Sequence, residues 1–361
     1  MAELNELAVN DKKNTRARFE QWVKNPQCEA NALSAVLNVK MNEVAKSLGY
    51  NPEYGQSPFA ITRGLQFEGW LFKDEAKVLR ESLIKSNLLA QNEIGFADFR
   101  LTMNGGAKLK SVEQAIEKST ELLTKLSQKK LTKIPNIVAG LAVRIPKGVM
   151  LPEATLIIDA SLFLQRESQI VVKVGEIKVF PDRGGHTDPL EIATARAQAG
   201  VYQHALSLAV ENLGLTGIRI DTQGFLVFTW PGSNSPVIRP NEDLTFQALR
   251  AEQGFEQLDK IAENLVANKE EDFSDNFEWI AHSKTEYRES CWGFCDLAAR
   301  CQDLAFADDR AIVLGRDAAR LLGTVTVGRA IQLMDGASPQ TDFEKSLQFQ
   351  LRDANWDEMN K

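Results

Sequence analysis

Five residues that could share one piece of chemistry stand between Leu156 and Leu206: Asp159, Glu176, Lys178, Gln198 and Tyr202. Glu176 and Lys178 are two apart in QIVVKVGEIKVF, a β-branched run that reads as a strand, so their side chains share a face. Asp159 shares a face with Ile157 and Ser161 in TLIIDASLFL. A hairpin turn through QRES would set Asp159 beside Glu176. Two carboxylates that close repel each other unless a divalent cation lies between them, and Mg²⁺ accepts such hard oxygen ligands. The Lys178 ammonium could then orient or deprotonate an attacking water. Gln198 and Tyr202, four apart, fall on one face of the next expected helix. There they could steady the water, Lys178 or a substrate phosphate, and together these parts suit phosphodiester hydrolysis.

An E-x-K pair on a strand is often no more than an exposed ion pair. Here the flanks are apolar, VVKV before and VF after, which places the strand inside a sheet. Charges on a central strand need a reason to be there.

The elements that must position these groups follow from periodicity and turn signals. Residues 14 to 50 read as helical with a break at NPQC, and Glu68 rides on a helix in RGLQFEGWLFKDEAKVLRESL. An amphipathic helix over residues 112 to 126 precedes three strands, NIVAGLAVRI, TLIIDASLFL and QIVVKVGEIKVF. Asp188 is set to cap a helix with Pro189 at its first position and Glu191 three residues after the cap, running to about Asn212. GFLVFTWP is a further strand, and the chain is helical from Leu244 onward.

Asp159, the Glu176-Ile177-Lys178 triplet and the Gln198-x-x-x-Tyr202 helix resemble the PD-(D/E)xK nucleases, and among them the RecB-like exonuclease branch. The resemblance spans about residues 64 to 231. It implies an α/β fold with a restriction-endonuclease-like core, a mixed central sheet flanked by helices, and helical N- and C-terminal segments. It also implies that Asp159, Glu176 and the Ile177 carbonyl hold Mg²⁺ or Mn²⁺, that Lys178 is the catalytic lysine, and that Gln198 and Tyr202 are the branch's helix residues. The branch usually carries a histidine on an upstream helix. This chain offers Glu68 there, either as a metal ligand or as an ordinary surface residue.

Four cysteines remain. Cys28 stands alone, and Cys291, Cys295 and Cys301 crowd into CWGFCDLAARC. Three thiolates so close can ligate a metal if a fourth closes the site, and Cys28 is the only one left. Zinc, an iron–sulfur cluster and uncoordinated buried thiols all suit this count. The one-plus-three layout around the core resembles the iron–sulfur RecB-like nucleases, CRISPR-associated exonucleases among them, and implies a 4Fe–4S cluster that staples N-terminal to C-terminal helices. Those proteins usually separate the first two cysteines of the trio by two residues, and here three intervene.

The division expected is an N-terminal helical segment over 1–63, a nuclease core over 64–240, a helical segment with the cysteine trio over 241–304 and a helical appendage over 305–361. The net charge of −7 argues against a general polyanion coat-binder but allows a local basic channel. No run is apolar and long enough to span a bilayer, and no secretion signal is visible, so the expectation is a cytoplasmic protein without a membrane partner. DNA is the expected partner. No helicase motif is present, so a motor would be a separate protein of a repair or defence system. The alternative to a nuclease is a cluster-stabilised DNA-end-binding or scaffold subunit with little cleavage of its own. Arg183 and Arg196 are candidates for phosphate contact. The lysines from Lys108 to Lys133 read first as a solvated helix face, His186 as a loop residue, and His204 and His282 as structural.

Overall fold

The computed structural model describes residues 15–37, 39–51, 58–106, 108–131, 133–145, 154–267 and 273–353. Helices α1 (Thr15–Lys24), α2 (Glu29–Leu37) and α3 (Met41–Ser47) are followed by α4 (Pro58–Leu71) and α5 (Lys73–Lys85). Strand β1 (Phe96–Asp98) and helix α6 (Val112–Ser127) lead to β2 (Ile137–Ile145), β3 (Ala154–Arg166) and β4 (Gln169–Pro181). Then come α7 (Pro189–Asn212), β5 (Ile218–Ile220), β6 (Gln223–Thr229), β7 (Pro236–Asp243) and α8 (Thr245–Ala267). The remainder is helical, with α9 (Asn276–His282), a 3₁₀ turn at Glu289–Gly293, α10 (Ala298–Ala307), a second 3₁₀ turn at Ala311–Leu314, α11 (Arg316–Leu322), α12 (Val327–Met334) and α13 (Asp342–Asp353).

The three β-branched runs form the middle of an open, mixed, seven-stranded sheet of order β1-β2-β3-β4-β6-β7, with β5 also paired to β4. The chain is therefore α/β. Strands β2, β3 and β4 run antiparallel in turn, whereas β4 and β6 are parallel. Parallel neighbours need a long crossover, and α7 lies within the one that joins them. Strand β7 pairs with β6 alone among the described strands and contains Pro236 and Pro240. Proline cannot donate to a ladder, so an edge is where such a strand fits.

The two faces of the sheet are covered differently. Phe67 and Leu71 of α4, and Ala76, Leu79 and Leu83 of α5, form one core with Ala160, Leu162, Ile177, Phe225 and Val227. On the other face, Val112 and Ala115 of α6 pack with Ala142, and Ile157 joins them. The helical pattern read through residues 63 to 83 is broken in the first turn of α5. There Asp74, Glu75 and Ala76 are left-handed, with φ of 50°, 56° and 58°. Buried Phe72 just before this turn and buried Ala76 at its end hold the chain in the core.

The chain divides into two compact units. One comprises residues 1–20, 36–38 and 56–270, and contains the sheet and α8. The other comprises residues 21–35, 39–55 and 271–361. Near its C-terminal end, Ala311, Leu322, Ala330, Leu333 and Leu347 form a small core of their own. No helix among the described residues is long and apolar enough to cross a membrane.

Candidate active site

The sheet forks at the acids. The β3–β4 ladder runs from Arg166↔Gln169 to Ala160↔Gly175 and stops there. Past that point β3 continues against β2, with Ile158 opposite Leu141, and β4 continues against β6, with Glu176 opposite Leu226. Asp159 and Glu176 are thus the first residues beyond the fork. The Ile177 N–H donates to Asp159 Oδ2 at 3.1 Å, so a side chain reaches across where the ladder ends. Gly175 sits at the fork because a Cβ there would lie 2.2 Å from the Phe225 ring, which is fully buried.

Ile177 faces the α4–α5 core, so Glu176 and Lys178 alternate to the opposite face. Glu176 is 0% exposed, and Lys178 Nζ lies 2.7 Å from its Oε1. Lys173, on the same strand, is also buried, but it is 3.0 Å from Asp221 Oδ2 at the strand's other end. Burial alone would push the Asp221 carboxyl up, yet the Lys173 ammonium and the Gln223 N–H hold it below its usual value. That pair is structural, whereas Glu176 and Lys178 are set beside a second carboxylate.

Helix α7 covers this face. Its start is fixed by Asp188, whose Oδ1 accepts from the Leu190 and Glu191 N–H groups at 2.8 and 3.2 Å, as the capping pattern predicts. Four turns along, the Tyr202 hydroxyl donates to Asp159 Oδ1 at 3.2 Å. Gln198, one turn earlier, is 7% exposed, and its amide oxygen has no hydrogen-bond partner among the described residues. A buried polar atom of that kind is costly unless something else occupies the space it faces. The structure thus assembles Asp159, Glu176, Lys178 and Tyr202, with Gln198 beside Tyr202 on the helix. Glu68 is half-buried on α4, whose neighbours Phe67 and Leu71 pack in the core on the Ile177 face.

A further set of charges was not legible in the sequence. Asp182, fully buried just after β4, accepts from Gly185 N–H at 2.6 Å, from the Thr187 hydroxyl at 2.8 Å and from Arg239 Nη1 at 3.2 Å. Burial pushes its carboxyl up, but these three donors hold it below its ordinary value. Arg239 also donates to Glu242 Oε1 at 2.9 Å, and Arg196 donates to Glu242 Oε2 at 2.6 Å. Asn241 has φ of 54° where the β6–β7 register shifts, a bulge that returns Glu242 to the face of Arg239. The only signal for this network was the Asp-x-Gly-Gly loop itself, since aspartate often organises such turns through its side chain. Arg196, expected near a phosphate, is engaged here by Glu242, and Arg183 is exposed in the loop.

The remaining candidates take the plainer roles. His204 lies against Phe255, where burial pushes its pKa down, and exposed His282 sits 2.9 Å from the Glu278 carbonyl. Lys118 and Lys125 pair with Glu121 at 3.0 and 2.6 Å on an exposed helix face.

All four cysteines are buried, unbonded to one another and part of the second unit. Asn25 Nδ2 donates to Cys291 Sγ at 3.6 Å. Burial pushes every one of these thiols up, Cys301 to about 11, and the proximity of the other thiols adds to the shift at Cys291, Cys295 and Cys301. A bound cation lowers the cost of holding a buried thiol as thiolate.

Among the described residues no group of three or more His, Cys, Asp or Glu side chains stands ready to hold a metal ion. At the fork the side-chain donors are the carboxylates of Asp159 and Glu176. Their chemistry fits a hard cation, and the Gln198 oxygen is buried without a partner among the described residues, one turn from Tyr202 on the same helix face. In the second unit, four buried thiols fit zinc or an iron–sulfur cluster by donor type. Comparison with protein-family models, with curated proteins and with solved structures finds no match for this chain.

Proposed function

We propose that this protein is a divalent-metal-dependent deoxyribonuclease of the RecB-like PD-(D/E)xK type, an exonuclease that leaves a 5′-phosphate and a free 3′-hydroxyl. The observation that carries the reading is the fork: two carboxylates on strands that have just separated, a lysine 2.7 Å from one and a helix tyrosine 3.2 Å from the other. Asp159, Glu176 and the Ile177 carbonyl would hold Mg²⁺ or Mn²⁺. When bound, that ion supplies charge stabilisation at the scissile phosphate and acidifies water. Tyr202 and the Ile177 N–H fix the Asp159 carboxylate, each on a different oxygen. Lys178 is placed to position an attacking water and to offset charge as the phosphorus gains its new bond. Gln198 offers a buried acceptor on the same helix face as Tyr202.

Cys28, Cys291, Cys295 and Cys301 would hold a 4Fe–4S cluster, with zinc the alternative. The cluster's part is structural, since it would tie residues 21–35 to residues 271–361 within the second unit. The alternative is a cluster-stabilised DNA-end-binding or scaffold subunit with little cleavage of its own.

Anaerobic purification followed by incubation with single- and double-stranded DNA and Mn²⁺ tests both parts. The nuclease reading expects digestion by the wild type and a loss of at least about a hundredfold in Lys178→Ala. Equal inertness of both proteins would give the case to the end-binding subunit. Broad visible absorption that is lost in Cys28→Ser supports the cluster, and a colourless preparation carrying zinc rejects it.

A further inference from the structure

The second unit contains a cavity of about 1160 Å³ whose walls come from residues 286–290, 310–312 and 323–326 together with Arg316, Ala319 and Arg320. Four guanidinium groups line it, those of Arg288, Arg310, Arg316 and Arg320. Two carboxylates, Glu286 and Glu289, stand against them. In a chain of net charge −7 this is a local excess of positive charge, which average composition does not provide.

These arginines are only partly occupied. Arg310 lies 3.8 Å from Glu286 Oε2, a long contact between half-exposed groups. Arg288 donates to the Gln27 side chain at 2.7 Å, which uses one of its five N–H donors. Arg316 and Arg320 are exposed and form no ion pair among the described residues. They are four apart on α11, and like charges at that spacing repel along a helix face. An anion between or across them would remove that repulsion, and the guanidinium fork suits phosphate oxygens.

An indole outside the cavity lining is tied by a hydrogen bond to a residue of the lining. Tyr287 lines the cavity, is 3% exposed and accepts the Trp292 indole N–H at 3.1 Å. Trp292 is 41% exposed, so the hydrogen bond anchors a ring that solvent, or a nucleobase, can still reach. Four arginines along one lining offer contacts to several successive phosphates.

We propose that this cavity binds single-stranded nucleic acid, with phosphodiesters on the four arginines and a base stacked on Trp292. Basic side chains along a backbone and an aromatic platform for bases are the two parts such binding needs. An acidic peptide would use the arginines but leave the indole without a role. The site uses no residue of the Asp159 centre, so it stands whether or not that centre cleaves.

Fluorescence anisotropy of the full-length protein tests it, using a fluorescein-labelled oligothymidylate of about twelve nucleotides without divalent metal. The wild type is expected to bind, and Arg316→Gln/Arg320→Gln to bind about tenfold more weakly, with a log–log salt slope shallower by about 1.4. Arg316→Lys/Arg320→Lys keeps the wild-type slope, while Trp292→Ala weakens binding without changing it. These variants also preserve the test if the glutamine pair fails to fold, which thermal unfolding would reveal. Absence of binding by the wild type overturns the proposal, as does unchanged affinity and slope in the glutamine pair. Displacement of the oligonucleotide by oligoglutamate of equal length at equal concentration would also overturn it, in favour of an acidic peptide.

Discussion

The Tyr202 hydroxyl lies 3.2 Å from Asp159 Oδ1, joining a helix to a strand 43 residues earlier in the chain. The other oxygen of the same carboxylate is held by the Ile177 N–H, so Asp159 keeps one orientation at the point where β3 and β4 part. Tyr202→Phe deletes the hydroxyl that donates to Asp159 Oδ1 and keeps the ring. A hydrogen bond to a charged group is worth about 1.5–3 kcal/mol, so kcat on DNA should fall roughly tenfold. On the proposed reading KM should stay within about twofold, because the tyrosine would orient a metal ligand and need not touch the substrate. Steady-state kinetics that show only a KM change would assign Tyr202 to substrate binding instead.

Gln198 should separate stability from activity. Its amide oxygen is buried without a partner among the described residues, a desolvation cost to the fold. Gln198→Met keeps the length of the side chain and removes the polar atoms, so unfolding in urea should shift upward by about 1–2 kcal/mol. Nuclease activity should drop at the same time. A variant that is both more stable and fully active would mean that the glutamine plays no part at the centre.

Gly175→Ala addresses the fork directly. The added methyl would meet the Phe225 ring at 2.2 Å, in a core where Phe225 is fully buried. Overpacking of that kind costs about 1–3 kcal/mol, and the shift should carry Glu176 with it. Phe225→Leu in the same chain should restore part of the lost stability and of the activity. If the single variant unfolds at the wild-type denaturant midpoint, the ring is not what requires glycine here.

Acid should act through Asp182. Its carboxyl is held below its ordinary value by Gly185, Thr187 and Arg239, in spite of burial. A carboxyl depressed in the folded state binds fewer protons there than when unfolded, so its stabilisation is present above the unfolded value and lost as pH falls through the folded one. Asp221, depressed through Lys173, acts in the same direction. Thermal unfolding between pH 6 and pH 3 should therefore fall less steeply in Asp182→Asn than in the wild type, with the variant less stable at neutral pH. Parallel curves for the two proteins would remove Asp182 from the acid response.

Local pattern determined the parts of this protein. The alternation of QIVVKVGEIKVF placed Glu176 and Lys178 on one face, and the Asp188-Pro189-x-Glu191 sequence started α7 at the observed residue. Those signals are legible because strand pleat and helix capping depend on residues a few positions apart. Strand β7 was missed, since two prolines on an edge strand suppress the β pattern that pairing with β6 nevertheless supports. The break in the first turn of α5 was missed because burial of Phe72 and Ala76, a tertiary effect, overrides helix propensity there.

Tertiary structure alone decided that the sheet forks between Ala160 and Asp159, that Tyr202 reaches Asp159, and that Asp182, Arg239, Glu242 and Arg196 form one network. It also brought the arginines at 288, 310, 316 and 320 around one cavity. Each of these depends on register, a bulge or chain return over distances that no local pattern encodes. The residue types announced what chemistry was available, and folding determined which of them meet.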